Sequence, residues 1–230
     1  MYITHLLDIN TVIFTIADYP MSYIEFFGTI FVVWCVWLTA KAKVLSWPVG
    51  IIGVFLYIFL FYQIQLYSDM IEQVFFLITG FIGWYAWLHP KTSAETNKED
   101  QLKITVSSVK QNLMYAAIVI AGTAVLTFIV SNLDNWFPQY FPEPAAFPLL
   151  DAFTTVMSFM AQWLLVRKKI ENWALWIIID AIAIGLYWSK GVKFVSLEYV
   201  LFFFIASYGL VSWVKKYRSN ENHEPTHVQV

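Results

Sequence analysis

The chain has 230 residues, of which 59% are hydrophobic, 19% aromatic and only 13% charged, against about 25% charged in ordinary soluble domains. With a mean hydropathy of +0.61 and twenty Phe, thirteen Tyr and eleven Trp, it holds more apolar surface than one soluble core of this size buries, so the composition excludes a water-soluble globule and indicates an integral membrane protein. A net charge of −2 with fourteen Lys and Arg scattered over loops excludes a nucleic-acid partner, and the single cysteine, Cys35, excludes disulfides and cysteine metal centres.

In chain order, residues 1–22 come first, as an extracytoplasmic segment. They contain no Lys or Arg and no Ala-x-Ala pattern, so they do not read as a signal peptide. Leu6, Leu7, Ile9, Val12, Ile13 and Phe14, mixed with Asp8, Asn10 and Asp18, predict a short interfacial helix. Apolar runs near 24–40, 47–66 and 70–88 predict three spanning helices. A linker, 91–147, opens with the polar HPKTSAETNKEDQLK run, carries a fourth span near 110–131 and closes on Pro-rich sequence. Three further spans follow near 148–166, 173–189 and 194–214, and residues 217–230 form a polar tail. The expected fold is all-α, seven transmembrane helices with no soluble domain.

Twelve of the cationic residues fall after spans one, three, five and seven: Lys41, Lys43, Lys91, Lys98, Lys103, Lys110, Arg167, Lys168, Lys169, Lys215, Lys216 and Arg218. Only Lys190 and Lys193 fall on the other side. The positive-inside rule therefore puts the N-terminus outside and the C-terminus in the cytoplasm.

Sliding the chain on itself by 126 residues aligns spans one to three with spans five to seven. Trp37 meets Trp163, Trp47 meets Trp173, Trp87 meets Trp213, Lys43 meets Lys169, Glu72 meets Glu198 and Gly83 meets Gly209. Hydrophobic composition alone yields Leu and Phe matches, not Trp, Glu and Gly ones, so the chain reads as a duplication, 23–90 and 148–216. A three-span unit is odd in number. The extra fourth span restores the orientation of the second copy, giving a 3+1+3 plan of parallel repeats with a substrate site near the midplane.

Polar groups inside spans are costly and face protein or water. Asp180 is the deepest, eight residues after Asn172, or about 12 Å along the helix. Trp173, Trp176, Asp180, Ala183 and Tyr187 recur at helical spacing, so one face is aromatic with a central carboxylate. Gln162, with Ser158 and Thr155, forms a polar stripe on span five, and Glu72, Gln73, Glu198 and Tyr199 stand near the outer ends of spans three and seven. Trp47, the counterpart of Trp173, opens span two. Each has a plainer reading: Trp47 and Trp173 as interface anchors, Glu72 and Glu198 as solvated acids, Gln162 as a bond to a neighbouring helix. Trp87, Trp213 and Tyr217 read as interface anchors and stay outside the candidate site. Gly50, Gly53 and the Ala181/Gly185 pair read as close-packing positions. The four histidines lie outside the spans, no phosphate-binding loop is present, and no cofactor, metal or catalytic constellation is expected.

The run RKKIENWALWIIIDAIAIGLY (Arg167 to Tyr187), with SWPVGIIG (Ser46 to Gly53) and the 3+1+3 plan, resembles the PnuC vitamin transporters over nearly the whole chain. Its most specific element is Asn172, Trp173 and Trp176 followed by Asp180, which brings Asn172 into the candidate site. The parallel repeats are SWEET-like, and the resemblance implies a homotrimer in the bacterial cytoplasmic membrane. It would move nicotinamide riboside by facilitated diffusion, with an intracellular kinase trapping the product as its phosphate. The residues agree: aromatic faces attract a cationic pyridinium ring, a carboxylate neutralises it or binds hydroxyls, and Gln or Asn pairs a carboxamide. Thiamine or riboflavin transport is the alternative within the family. A membrane scaffold or sensor is the alternative outside it, one that gains nothing from a midplane carboxylate.

Overall fold

The computed structural model describes residues 6–16, 19–64, 67–92, 95–96, 101–139, 144, 146–189 and 193–221. Lys98, Lys190, His5, His223 and His227, and the end of the tail, lie outside them. Among the described residues, seven helices are long and apolar enough to cross a membrane. They are α1 (Tyr23–Ala40), α2 (Ser46–Gln63), α3 (Tyr67–Leu88), α4 (Val109–Val130), α5 (Pro148–Val166), α6 (Glu171–Ser189) and α7 (Lys193–Glu221). Each begins and ends within a few residues of its hydropathy limits, α7 excepted, which runs on into the polar tail.

The chain divides into two compact units, Met1–Ile104 with Leu165–Lys168 and Tyr208–Val230, and Thr105–Leu164 with Lys169–Ser207. In the first, an antiparallel hairpin of β1 (Val12–Ile16) and β2 (Tyr19–Ser22) stands where an interfacial helix was expected, with a register irregularity between Val12 and Phe14. The β-branched and aromatic run VIFTI favours extended backbone, and Ser22 ends β2 by capping α1, its Oγ accepting from the Glu25 N–H. Gln63 at the end of α2 then fixes the preceding residues. Its Oε1 accepts from the Ile9 N–H at 3.0 Å and its Nε2 donates to the Leu7 carbonyl at 2.7 Å. The Tyr19 hydroxyl donates to Glu25 at 2.5 Å, and burial, aided by this acid, raises the phenol above its ordinary pKa.

Below the hairpin, Ile24, Tyr57, Leu60 and Phe61 form a core joined by Leu7, Ile9 and Met70. Glycines let the helices of this unit approach. A Cβ at Gly53 would lie 2.8 Å from Val32, one at Gly50 2.6 Å from the Cys35 Sγ, and one at Gly83 would collide with the Trp47 indole. Ala181 and Gly185 behave otherwise: both are exposed, and nothing lies within 4 Å of a Cβ at Gly185, so they are not packing positions among the described residues.

In the second unit α4 opens with a capping box in which Ser108 and Gln111 satisfy each other's backbone N–H groups. The strand-like residues before it are tied to the start of α6: the Ile170 N–H donates to the Thr105 carbonyl at 3.0 Å, and the Ser107 N–H to Glu171 at 2.5 Å. Val119 of α4 joins Met157, Met160, Ala161 and Leu164 of α5 and Ile179 of α6 in one core, with Trp176 packed on it. Ser196 of α7 donates to the Ile184 carbonyl of α6 at 2.7 Å.

Helices α1 and α5 end in turns of the same build. Ala42 and Lys168 sit at φ 57° and 53°. Their N–H groups donate to the Thr39 and Leu165 carbonyls, both at 2.8 Å, and those of Lys43 and Lys169 donate to Leu38 and Leu164 at 3.0 and 2.9 Å. These are Schellman motifs in which a residue with a Cβ takes the left-handed position usually given to glycine.

Candidate functional site

The second unit gathers eight of the eleven sequence-derived residues: Gln162 on α5, Asn172, Trp173, Trp176, Asp180 and Tyr187 on α6, and Glu198 and Tyr199 on α7. Asp180 is the tenth of the nineteen residues of α6 and only 3% exposed. It makes no hydrogen bond or ion pair among the described residues. An unpaired carboxylate buried in mid-span is expensive, and packing alone does not account for it.

The face around Asp180 has the predicted character. Trp173 and Ala183 are buried, and Trp176 and Tyr187 half-buried. Tyr187 stacks on Tyr199 of α7, ring centroids 5.3 Å apart and planes 15° apart, so α7 continues the aromatic wall near the C-terminal end of α6. Gln162 and Ser158 on α5 are buried, and Thr155 is half-buried. At the other end of α6, Asn172 is fully buried. Its Nδ2 donates to the Lys169 carbonyl at 2.5 Å, while its Oδ1 has no hydrogen-bond partner among the described residues. That oxygen is an acceptor available to a ligand N–H or O–H. Glu198 is half-buried in the second turn of α7.

Trp47, Glu72 and Gln73 belong to the first unit. Glu72 and Gln73 are half-buried on α3. Trp47 is buried with its ring tip against Gly83 and its edge toward Trp87, centroids 5.2 Å apart. It is packed within protein, not placed at an interface as an anchor.

The largest departure from expectation concerns Trp87 and Trp213. Both are fully buried, and neither serves as a headgroup-level anchor. The Trp87 Nε1–H donates to the Leu165 carbonyl at 3.2 Å and the Trp213 Nε1–H to the Thr39 carbonyl at 3.0 Å. Lys168, a solvated loop charge by sequence, is 1% exposed with its ammonium 4.2 Å from the Trp87 ring centroid. The available signal was that both donors and both acceptors are 126 residues apart.

Comparison with known proteins agrees with this architecture. Residues 22–215 match the family model described as nicotinamide mononucleotide transporter. The chain is 32% identical to the nicotinamide riboside transporter PnuC of Escherichia coli, over 92% of this chain and 93% of that protein. It is 23% identical to the riboflavin/roseoflavin transporter RibM of Streptomyces davaonensis, over 89% and 91%. A crystal structure of the vitamin B3 transporter PnuC superposes with a TM-score of 0.68 at 26% identity, covering 86% of this chain and 83% of that one. Seven apolar helices, a buried polar face on α6 and matches of this extent make the chain a multi-pass inner-membrane protein of the nicotinamide mononucleotide transporter family, a family of transporters and not of enzymes.

Proposed function

We propose that this chain carries nicotinamide riboside across the bacterial cytoplasmic membrane by facilitated diffusion, with a cytoplasmic kinase trapping the substrate as its phosphate. The observation that carries the reading is Asp180, a carboxylate 3% exposed and unpaired at the centre of α6, beside Trp173, Trp176 and Tyr187. A pyridinium nucleoside offers a cation for the carboxylate and the aromatic rings, and hydroxyls and a carboxamide for Gln162 and Asn172. The family model's description and the relatives' names differ by a phosphate. The riboside is favoured because α6 carries no Lys or Arg to meet a phosphate, and Asp180 would repel one. Among the further substrate-contact candidates, Glu72 and Gln73 stand near the outer end of α3, Glu198 and Tyr199 near that of α7, and Trp47 is the repeat counterpart of Trp173.

The same proposal includes two parallel three-helix repeats, 23–90 and 148–216, joined through α4, with the N-terminus outside and the C-terminus inside. The matched turns at Ala42 and Lys168, and the matched indole bonds of Trp87 and Trp213, support it. A homotrimer follows from the family resemblance. Within such an assembly α4, whose apolar window is only 11% buried, would face lipid or a neighbouring copy.

The direct test is uptake into proteoliposomes of labelled nicotinamide riboside, nicotinamide mononucleotide, thiamine and riboflavin. Saturable entry of the riboside alone is expected. Preference for riboflavin, the substrate named for the Streptomyces relative, would move the assignment within the family, and no uptake of any of the four would favour a scaffold.

A further inference from the structure

We propose that Trp87 and Trp213 form a crosswise latch that closes the cytoplasmic side of the transport path; the inference rests on the transporter reading and orientation above. All its groups lie in the first compact unit. The Trp87 indole, at the end of α3, bonds the Leu165 carbonyl at the end of α5. The Trp213 indole, on α7, bonds the Thr39 carbonyl at the end of α1. The third helix of each proposed repeat therefore holds the first helix of the other.

The chemistry of the acceptors suits a bond that is made and broken. Thr39 and Leu165 lie in last helical turns, where carbonyls have no intrahelical donor. One lone pair of each is taken locally by the left-handed residue that follows, Ala42 or Lys168, at 2.8 Å. The second lone pair is left for the indole. When the indole withdraws, the turn keeps its own hydrogen bond and water takes the vacated one, so opening does not unravel either helix. Packing alone needs no N–H at these positions, and the two N–H groups each reach a backbone carbonyl of a segment distant in sequence.

The latch also has an aromatic centre. The two indoles are 5.9 Å apart, Trp47 meets Trp87 edge to face, and the Lys168 ammonium lies over the Trp87 ring. Lys216 adds a bond to the Lys41 carbonyl beside the Trp213 arm. Ala42 stands where Lys168 would be in the other half. The two arms are therefore braced differently, the Trp87 arm by the Lys168 ammonium on its ring and the Trp213 arm by the Lys216 bond.

The test uses the full chain in membrane vesicles, with Cys35→Ala removing the native thiol and Ser46→Cys reporting from the start of α2, a buried position next to Trp47. A membrane-impermeant maleimide is applied from the cytoplasmic face. Trp87→Phe with Trp213→Phe keeps an aromatic ring at each position while removing both N–H groups, and should speed labelling at position 46 about tenfold. An outer reporter, Asn10→Cys, should be unchanged. Equal rates with and without the two substitutions, or the same acceleration at both reporters, would overturn the latch. Should the doubly substituted protein fail to reach the membrane, the parent reporter suffices: saturating nicotinamide riboside should change labelling at position 46 several-fold, and no change in a chain that still transports the riboside refutes the latch alone. Loss of uptake by the unsubstituted protein would instead refute the transporter reading.

Discussion

At the scale of single residues, the recognition roles proposed for Asp180 and Trp176 separate experimentally. Asp180→Asn keeps the shape and removes the charge from a site 3% exposed. Affinity for nicotinamide riboside should fall on the order of tenfold, as expected for loss of a charge-assisted contact, while equilibration at high substrate persists; equilibrium binding and liposome uptake check the two halves. An unaltered dissociation constant would remove the carboxylate from the site. Trp176 packs on the Met157, Ala161 and Ile179 core from its edge. Trp176→Ala should weaken binding by about 1–3 kcal/mol with nearly normal protein levels in the membrane, and unchanged affinity would leave it a packing residue. The counterparts of Trp176, Asp180 and Gln162 at the 126-residue offset are Gly50, Val54 and Val36. In the first half those positions serve packing, as Gly50 against Cys35 shows, and so the polar chemistry is concentrated in the second.

At the scale of elements, two glycines of similar sequence setting behave oppositely. Gly83 on α3 receives the Trp47 ring with no room for a methyl group, whereas a Cβ at Gly185 on α6 meets nothing. Gly83→Ala should lower stability by about 1–3 kcal/mol through overpacking. Gly185→Ala should be neutral, or stabilising by up to roughly 1 kcal/mol through helix propensity. Thermal unfolding in detergent distinguishes them, and a lower Tm for the Gly185 variant would mean that this face is covered in the assembled protein. Residues 7 and 9, just ahead of the N-terminal hairpin, are held by one side chain at the end of α2. Gln63→Leu removes both bonds to residues 7 and 9, and amide exchange at Ile9 should accelerate by about tenfold or more.

For the whole molecule, the distribution of twelve cationic residues on one side against two on the other predicts that a C-terminal tag is protected in right-side-out vesicles, while a cysteine at position 10 is labelled from outside. The reverse pattern would invert the topology and the sidedness of the latch. Transport without ion coupling is expected because, beyond Asp180, the spans offer no deep acid or histidine for a proton relay. An imposed proton gradient should leave the accumulation ratio of the riboside near one. Concentrative uptake that is abolished by Asp180→Asn would establish coupling instead.

The seven spans, the 126-residue periodicity and the mid-helix place of Asp180 were legible in the amino-acid sequence because each is local. Span length and apolarity belong to contiguous residues, a repeat is self-similarity along the chain, and eight residues of helix set a place along its axis by rise alone. Tertiary structure decided what depends on a partner distant in sequence. Val12 to Ile16 fit an amphipathic helix or a strand, and pairing with Tyr19 to Ser22 selected the strand. Trp87 and Trp213 at span ends look alike as lipid-facing anchors or as buried donors, until carbonyls 78 and 174 residues away come within hydrogen-bond reach. Lys168 reads as a solvated cation until an indole face lies beneath its ammonium. Burial belongs to the set of neighbours and not to the residue, and only the folded chain supplies the neighbours.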